Sequence, residues 1–404
     1  MMSSNYDLII IGGGPAGLTS AIYGGRAKIK TLVINKGSFG GLIYSTREIV
    51  NYPGHEKDSG PALMSTFKKH AENVGTELIK DEVVEVDFSR REKIITTKNG
   101  REFTAKAVIL ACGTQPRVLN IPGEKRLRGN GVAYCATCDA EFFEDEHVVV
   151  VGSGDQAIEE GMYITKFASK VTVIVLHDEG ILDCNKISAE KAFSNEKMNF
   201  VWNSTIEEVL GEFNVDGVQI KNLKTGVSSQ LACQGVFFFV GTVPSTGFLK
   251  DSGLQYNQNG YIPVNDLMET NIEGVYAAGD NRVKYLRQVV SAAGDGATAA
   301  VAAERYIEEL NYFQKIILGS NIPVLLLFFK PLVAESLQFG TLLEEVASEI
   351  GERYKIIKVD MSTKKSIAEK YGIKEVPAVV LLNKGEVIKL LDCSIDKESL
   401  NLQL

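Results

Sequence analysis

The sequence predicts an α/β chain of two dinucleotide-binding folds, one inserted in the other, followed by a smaller α/β domain. Three observations carry this reading. A glycine-rich turn, Gly12 to Gly17, follows the apolar run Tyr6 to Ile11; a second, Gly152 to Ala157, follows Val148 to Val151; and an apolar strand far downstream ends in Gly279-Asp280. At 404 residues the chain is too long for one core and suits two or three domains, and 45% hydrophobic with 23% charged residues is ordinary for a globular protein.

The first unit reads strand, glycine turn, helix (Leu18 to Ala27) and strand (Thr31 to Ile34). Gly12, Gly14 and Gly17 have the G-x-G-x-x-G spacing, in which glycines allow a tight turn and the helix N-terminus then faces a pyrophosphate. Asn35 stands where an acidic residue is expected to hold the ribose, and its amide can still bond a hydroxyl. The second unit repeats the pattern: Gly152, Gly154, Asp155 and Gln156 lead to Ala157, an accepted third position, then a helix through Phe167 and the strand Val171 to Val175. Gly279-Asp280 places a carboxylate near ribose or pyrophosphate, and its distance from the first turn implies a domain of discontinuous segments with the second fold between them.

Cys135-Ala136-Thr137-Cys138-Asp139 lies inside this arrangement. Two thiols at that spacing serve either as half of a zinc site or as a redox couple. Zinc requires four ligands. Cys112, Cys184, Cys233 and Cys393 are scattered singly, and so are the histidines at 55, 70, 147 and 177, so no metal is expected. The chain opens on Tyr6 to Ile11 without a charged region, apolar stretch and cleavage site in front of it, which gives the expectation of a cytoplasmic protein, where a CxxC tends to be catalytic. A net charge of −8 argues against a nucleic-acid surface. The strongest apolar runs, Val236 to Val240 and Val324 to Phe329, are far short of the roughly 20 residues that span a bilayer, so no membrane partner is expected.

With Gly40-Gly41, Asn51-Tyr52-Pro53-Gly54 and Arg287-Gln288-Val289, these motifs make residues 5 to about 312 resemble the low-molecular-weight thioredoxin reductases. The resemblance implies two Rossmann-like domains: an FAD-binding domain at 1–118 and 245–312, and an NAD(P)-binding-like domain at 119–244 that carries the CxxC. It also implies a homodimer. By position it assigns the FAD pyrophosphate to Gly12, Gly14, Pro15, Ala16 and Gly17, and the ribityl or phosphate region to Gly279 and Asp280. Asn51, Gln288 and Val289 would lie near the isoalloxazine, with Asn35, Gly40, Gly41, Val84, Gly113 and Arg287 completing the cofactor set. Leu42 stands where a Gln is usual, so one polar flavin contact is expected to be missing. Gly152, Gly154, Asp155, Gln156 and Ala157 would meet a nicotinamide dinucleotide.

Passing two electrons from a flavin to a disulfide requires one sulfur near the ring and another free to meet the substrate. The family pattern makes Cys138 the flavin-side sulfur, Cys135 the attacking one and Asp139 the acid/base residue. Thiolate is the nucleophile, so a group that exchanges protons is needed, and burial would lift Asp139 toward that task. The donor departs from the family. NADPH-dependent members carry His-Arg-Arg and a further Arg after the second turn; here the strand runs into Val175-Leu176-His177-Asp178-Glu179-Gly180-Ile181. Asp178 and Glu179 would repel a 2′-phosphate, so NADPH is doubtful, while NADH and reduced ferredoxin stay open as donors.

Beyond Asn311 the order strand (Pro323 to Phe329), helix (Leu337 to Tyr354), strand (Lys355 to Val359), helix (Lys364 to Tyr371) and hairpin (Val379 to Leu391) resembles thioredoxin over 316–404. Val376-Pro377 matches that fold's cis-proline. Val333-Ala334-Glu335-Ser336 stands where its CxxC would be, and Leu327 replaces its buried Asp, so this domain is expected to be redox-inactive and Cys393 a lone structural thiol. The leading expectation is an FAD enzyme that reduces thioredoxin or a thioredoxin-like protein through Cys135/Cys138. Two alternatives stand beside it: a reductase that feeds a peroxiredoxin, and a non-catalytic flavin-bound redox sensor or binding module.

Overall fold

The computed structural model describes residues 4–46, 49–351, 353–362, 365–394 and 397–403, in two compact units, 1–303 and 304–404. In the first unit β1 (Ser4–Ile11), α1 (Pro15–Arg26), β2 (Thr31–Asn35), α2 (Gly60–Asn73), β3 (Glu77–Lys80), β4 (Val83–Asp87), β5 (Lys93–Thr97) and β6 (Glu102–Leu110) build most of one sheet. Its order is β3-β2-β1-β6-β5-β4. β1 runs parallel to both β2 and β6, and Leu8, Ile9, Ile10 and Ile11 are all buried, as expected of a strand covered on both faces. Helix α1 begins three residues earlier than the sequence suggested, because Pro15 takes the first helical turn, where its missing N–H costs nothing.

The chain then leaves through β7 (Thr114–Pro116), passes β8 (Val132–Ala133) and the one-turn helix α3 (Ala136–Asp139), and enters a second parallel sheet. This is built from β9 (His147–Val151), α4 (Asp155–Ile164), β10 (Lys170–Ile174), α5 (Lys186–Phe193) and β11 (Met198–Val201). An antiparallel sheet, β12 (Ser204–Leu210), β13 (Gly217–Asn222) and β14 (Ser228–Ala232), follows; β15 (Gly235–Phe238) then closes the order β11-β10-β9-β15-β8. The return strand β16 (Thr242–Pro244) pairs antiparallel with β7, so the way in and the way out of the insertion form one two-stranded ribbon. β17 (Val275–Ala277) rejoins the first sheet beside β6, and the long helix α6 (Val289–Tyr312) follows, crossing the division between the units.

The second unit holds β18 (Val324–Phe329), α7 (Ala334–Ile350), β19 (Lys355–Asp360), α8 (Lys365–Lys370), β20 (Ala378–Asn383), β21 (Glu386–Leu391) and α9 (Lys397–Gln403), with sheet order β19-β18-β20-β21. The all-apolar β18 serves two cores. Val324, Leu326 and Phe328 face Ile367 and Ala368, while Leu325 and Leu327 face Phe339, Leu343 and Leu400, which is the period-2 alternation of a strand buried on both sides. Leu327 thus fills an apolar site. Helix α7 ends at Gly351, whose φ of +73° suits glycine, rather than at Tyr354 as the periodicity suggested. The Val376–Pro377 peptide is cis. Among the described residues no helix is long and apolar enough to cross a membrane.

Candidate active site

The first glycine turn is packed backbone against backbone. Gly12 has φ +112°, and a Cβ there would sit 2.2 Å from the Ala111 carbonyl oxygen; one on Gly17 would sit 1.9 Å from that of Gly12. No side chain caps α1 at Gly14, so its first N–H groups are left for a ligand. Asn35 accepts from the Gly13 N–H at 2.8 Å and donates to the Gly37 and Ser38 carbonyls at 3.0 Å, fastening the turn to the loop after β2. The Gly40 N–H donates to the Gly13 carbonyl at 2.7 Å, and a Cβ on Gly41 would lie 3.2 Å from the Gly14 Cα. Leu42 is the second residue of a short 3-10 turn, Gly41–Ser45, and is half exposed. Val84 is exposed at the bulge that begins β4, and Gly113, at φ +62°, accepts from the Ser245 N–H at 2.9 Å.

The downstream motifs return to this turn. A Cβ on Gly279 would stand 2.9 Å from the Ala16 Cβ, which places Gly279-Asp280 against the start of α1. Asn51, in the loop before α2, donates to Gln288 at 3.2 Å across 237 positions of sequence, and Val289 is buried at the head of α6. Arg287 stacks 4.3 Å from the Tyr261 ring centroid. The Asp280 Oδ1 and Arg287 Nε are buried without hydrogen-bond partners. Burial pushes the Asp280 carboxyl up, against the pull of Lys284 and Arg287. Orphaned polar atoms of both kinds beside a glycine turn fit a dinucleotide such as FAD, which would supply the two-electron redox chemistry that side chains lack.

Sequence reasoning missed Asp295, since a lone Asp inside α6 gives no local signal. It accepts from the Gly279 N–H (3.1 Å), Arg282 (2.8 and 2.6 Å) and Lys284 (2.7 Å), tying the Gly-Asp turn to the helix.

Cys135 and Cys138 are bonded to each other, Cα to Cα 5.4 Å. Cys135 is half-buried at the N-cap of α3, its Sγ 3.4 Å from the Thr137 hydroxyl, while Cys138 is exposed. Asp139 is half-buried, and burial pushes its carboxyl up. The other thiols are inert by environment: burial raises Cys112 and Cys233 to about 12 and Cys393 to about 11, and shifts Cys184 upward as well.

The second glycine turn is packed less tightly against its own backbone than the first. Gly152 has φ +130°, with a Cβ position 2.4 Å from the Phe239 carbonyl oxygen, and Gly154 has open space where its Cβ would point. Ala157 is buried beneath the turn and Gln156 is exposed. The segment after β10 folds back onto it. The Asp183 N–H donates to the Ser153 carbonyl at 3.0 Å, the Ser153 hydroxyl to the Asp183 carboxylate at 2.7 Å, and the Asn185 N–H to Asp155 at 2.7 Å. His177 is partly exposed and lies 2.8 Å from the same Asp183 oxygen. Ser153 and His177 hold Asp183 below the ordinary carboxylate range, and Lys224 does so for Asp178. The carboxylates of Asp155 and Asp183 thus stand at this turn.

The profile of the pyridine nucleotide-disulphide oxidoreductase family matches residues 6–296 and that of thioredoxin residues 305–404. Similar proteins include a thioredoxin reductase of Peptoclostridium litorale, 48% identical over 316 residues that cover 76% of this chain and 99% of that protein. That of Bacillus subtilis (strain 168) is 44% identical over 306 residues, 76% and 96% of the two chains. Among solved structures, thioredoxin reductase from Lactococcus lactis superposes with a TM-score of 0.73 at 40% identity, over 75% of this chain and 99% of that one. The enzyme from T. acidophilum gives 0.71 at 30% identity, over 76% and 100%. The chain therefore belongs to the pyridine nucleotide-disulphide oxidoreductase family, as an FAD oxidoreductase of the low-molecular-weight thioredoxin reductase type with a thioredoxin domain joined C-terminal to it.

Proposed function

We propose that the chain carries two electrons from a donor other than NADPH, through FAD and the Cys135/Cys138 pair, to a disulfide on thioredoxin or a thioredoxin-like protein. The observation that carries this reading is the Cys135–Cys138 bond at the head of α3, inside the second fold, with a half-buried carboxyl next to it. Relatives named thioredoxin reductases support the choice of partner. In this reading residues 1–118 and 245–312 hold the flavin, 119–244 carry the dithiol, and Cys135 attacks the substrate disulfide while Cys138 faces the flavin.

Asp139 returns and accepts the proton of the exchange, since burial moves its carboxyl toward the working range. Asp139→Asn is expected to slow reduction of thioredoxin about 10²-fold with flavin content unchanged, measured by stopped-flow turnover. A rate within threefold of the parent would remove Asp139 from the mechanism.

The donor reading rests on charge and closure. Asp155 and Asp183 stand at the second turn and the 177–185 segment is hydrogen-bonded onto it, while Asp178 on that segment is paired with Lys224, so a 2′-phosphate meets carboxylates in place of an Arg fork. Flavin absorbance is followed anaerobically after separate additions of NADPH, NADH and reduced ferredoxin. Bleaching by NADPH is expected to be at least about 100-fold slower than by the better of the other two. Fast bleaching by NADPH alone would sink the donor reading, whereas the ranking of NADH against ferredoxin decides whether the second turn still takes a dinucleotide.

A further inference from the structure

Glu160 is placed where neither the glycine spacing nor the CxxC would have pointed. It sits on α4, the helix that the second glycine turn opens, with its carboxyl near the first turn of α3, whose Ala136 and Thr137 N–H groups favour its charged form. Its Oε2 is buried and has no hydrogen-bond partner. The charge acting on it most strongly is that of Glu159, a like charge one residue away. A carboxyl so placed is not a surface residue that happens to be near the site, because desolvating it without a cation is costly and the two N–H groups are its compensation. Burial and Glu159 push it up to about 7, and the Ala136 and Thr137 N–H groups pull it back down.

Those N–H groups matter to Cys135. An N-cap side chain ordinarily accepts from the N–H of the second or third helical residue, here Thr137 or Cys138. Cys135 is that N-cap and makes no such bond. When the disulfide opens, a Cys135 thiolate would draw its stabilisation from these donors. Glu160 already draws on the Thr137 N–H and adds a negative charge at the turn of the helix that Cys135 caps.

We propose that Glu160 is a positioning residue for the dithiol: by holding the first turn of α3 through Ala136 and Thr137 it disfavours the Cys135 thiolate and keeps the Cys135/Cys138 pair strongly reducing. The inference rests on the proposed redox role of that pair. It gives α4 a task beyond the glycine turn, since the same helix sets the bias of the dithiol toward giving up its electrons. A pair that must pass electrons to a protein disulfide benefits from a reduced form that is not over-stabilised.

Glu160→Gln keeps an acceptor for the two N–H groups and removes the charge. Glu160→Met removes both while filling the site, and guards against a variant that fails to fold. Each full-length protein is equilibrated anaerobically with glutathione redox buffer at pH 8, where the parent carboxyl is ionised, and the dithiol fraction is read by alkylation and mass analysis of the Cys135/Cys138 peptide. This needs neither a donor nor a partner protein. Both variants are expected to shift the equilibrium toward dithiol by about tenfold, equivalent to about 30 mV, and to alkylate faster at Cys135. A folded variant that matches the parent in both readouts overturns the role of Glu160 alone. A parent pair that does not exchange with glutathione at all overturns the redox reading and this inference with it.

Discussion

Cys135→Ser is expected to lower the reduction of thioredoxin by at least about 10³-fold while leaving the flavin spectrum and content of the protein unchanged. The argument is one of chemistry and of placement. A hydroxyl at this site cannot form the mixed disulfide through which thiol–disulfide exchange proceeds. None of the cysteines outside the pair can stand in: burial raises Cys112, Cys233 and Cys393 to about 11 or 12, far from a thiolate at neutral pH, and Cys184 is shifted the same way. The flavin-type turn, Gly12 to Gly17, lies in the other fold of the same unit and does not depend on the sulfur. Turnover is measured with reduced thioredoxin as the readout, and flavin content by absorbance after gel filtration. Persistence of activity above a tenth of the parent would remove the central claim; loss of flavin along with activity would mean that the two folds are coupled more tightly than the β7–β16 ribbon implies.

The parts of this fold that sequence made legible are those with local cause. A run such as Val148 to Val151 followed by Gly152-Ser153-Gly154 is a strand and a turn because of residues adjacent to one another, and the structure has β9 and its glycine turn there. The same holds for β18, the hairpin of β20 and β21, and the loss of sulfur at Val333 to Ser336, where α7 begins without a thiol. What stayed hidden is long-range and polar. Glu160 reads as an ordinary helix glutamate until α3 is folded against α4, and Asp183 reads as a loop acid until it closes on Ser153 from 30 positions away. Asn35 reads as a residue whose amide can bond a ribose hydroxyl, and the backbone bonds that this amide makes at both ends carry no signal in the sequence. Each depends on a partner that no spacing rule names. The helix ends moved by a turn or less for local reasons that are visible only in three dimensions, such as the entry of Pro15 into α1.

Asp295→Ala is expected to destabilise the protein by about 3–5 kcal/mol and to release flavin, because it breaks a buried ion cluster by removing one partner. Asp295 is buried and bonded to Arg282, Lys284 and the Gly279 N–H; Lys284 keeps only 5% of its side chain exposed, so its ammonium would be left desolvated and unpaired. The same carboxylate holds the Gly279-Asp280 turn against α6, while Gly296, one residue on, lies so close to α1 that a Cβ would stand 2.2 Å from the Ala16 carbonyl. Loss of the cluster therefore loosens the carboxylate turn and the glycine turn together, and both belong to the proposed flavin site. Burial pushes the Asp295 carboxyl up, but Arg282 and Lys284 outweigh it and hold its folded pKa below the ordinary value. The sign follows from that depression: the contribution is complete above an unfolded pKa of about 3.9 and is lost as pH falls through the folded pKa, so the parent weakens more steeply below about pH 4 than Asp295→Ala does. Denaturant midpoints at pH 7 and below pH 4, with flavin content at each, test both parts. A midpoint change worth under about 1 kcal/mol at pH 7 would mean that the cations find other partners and that Asp295 does not hold the turn.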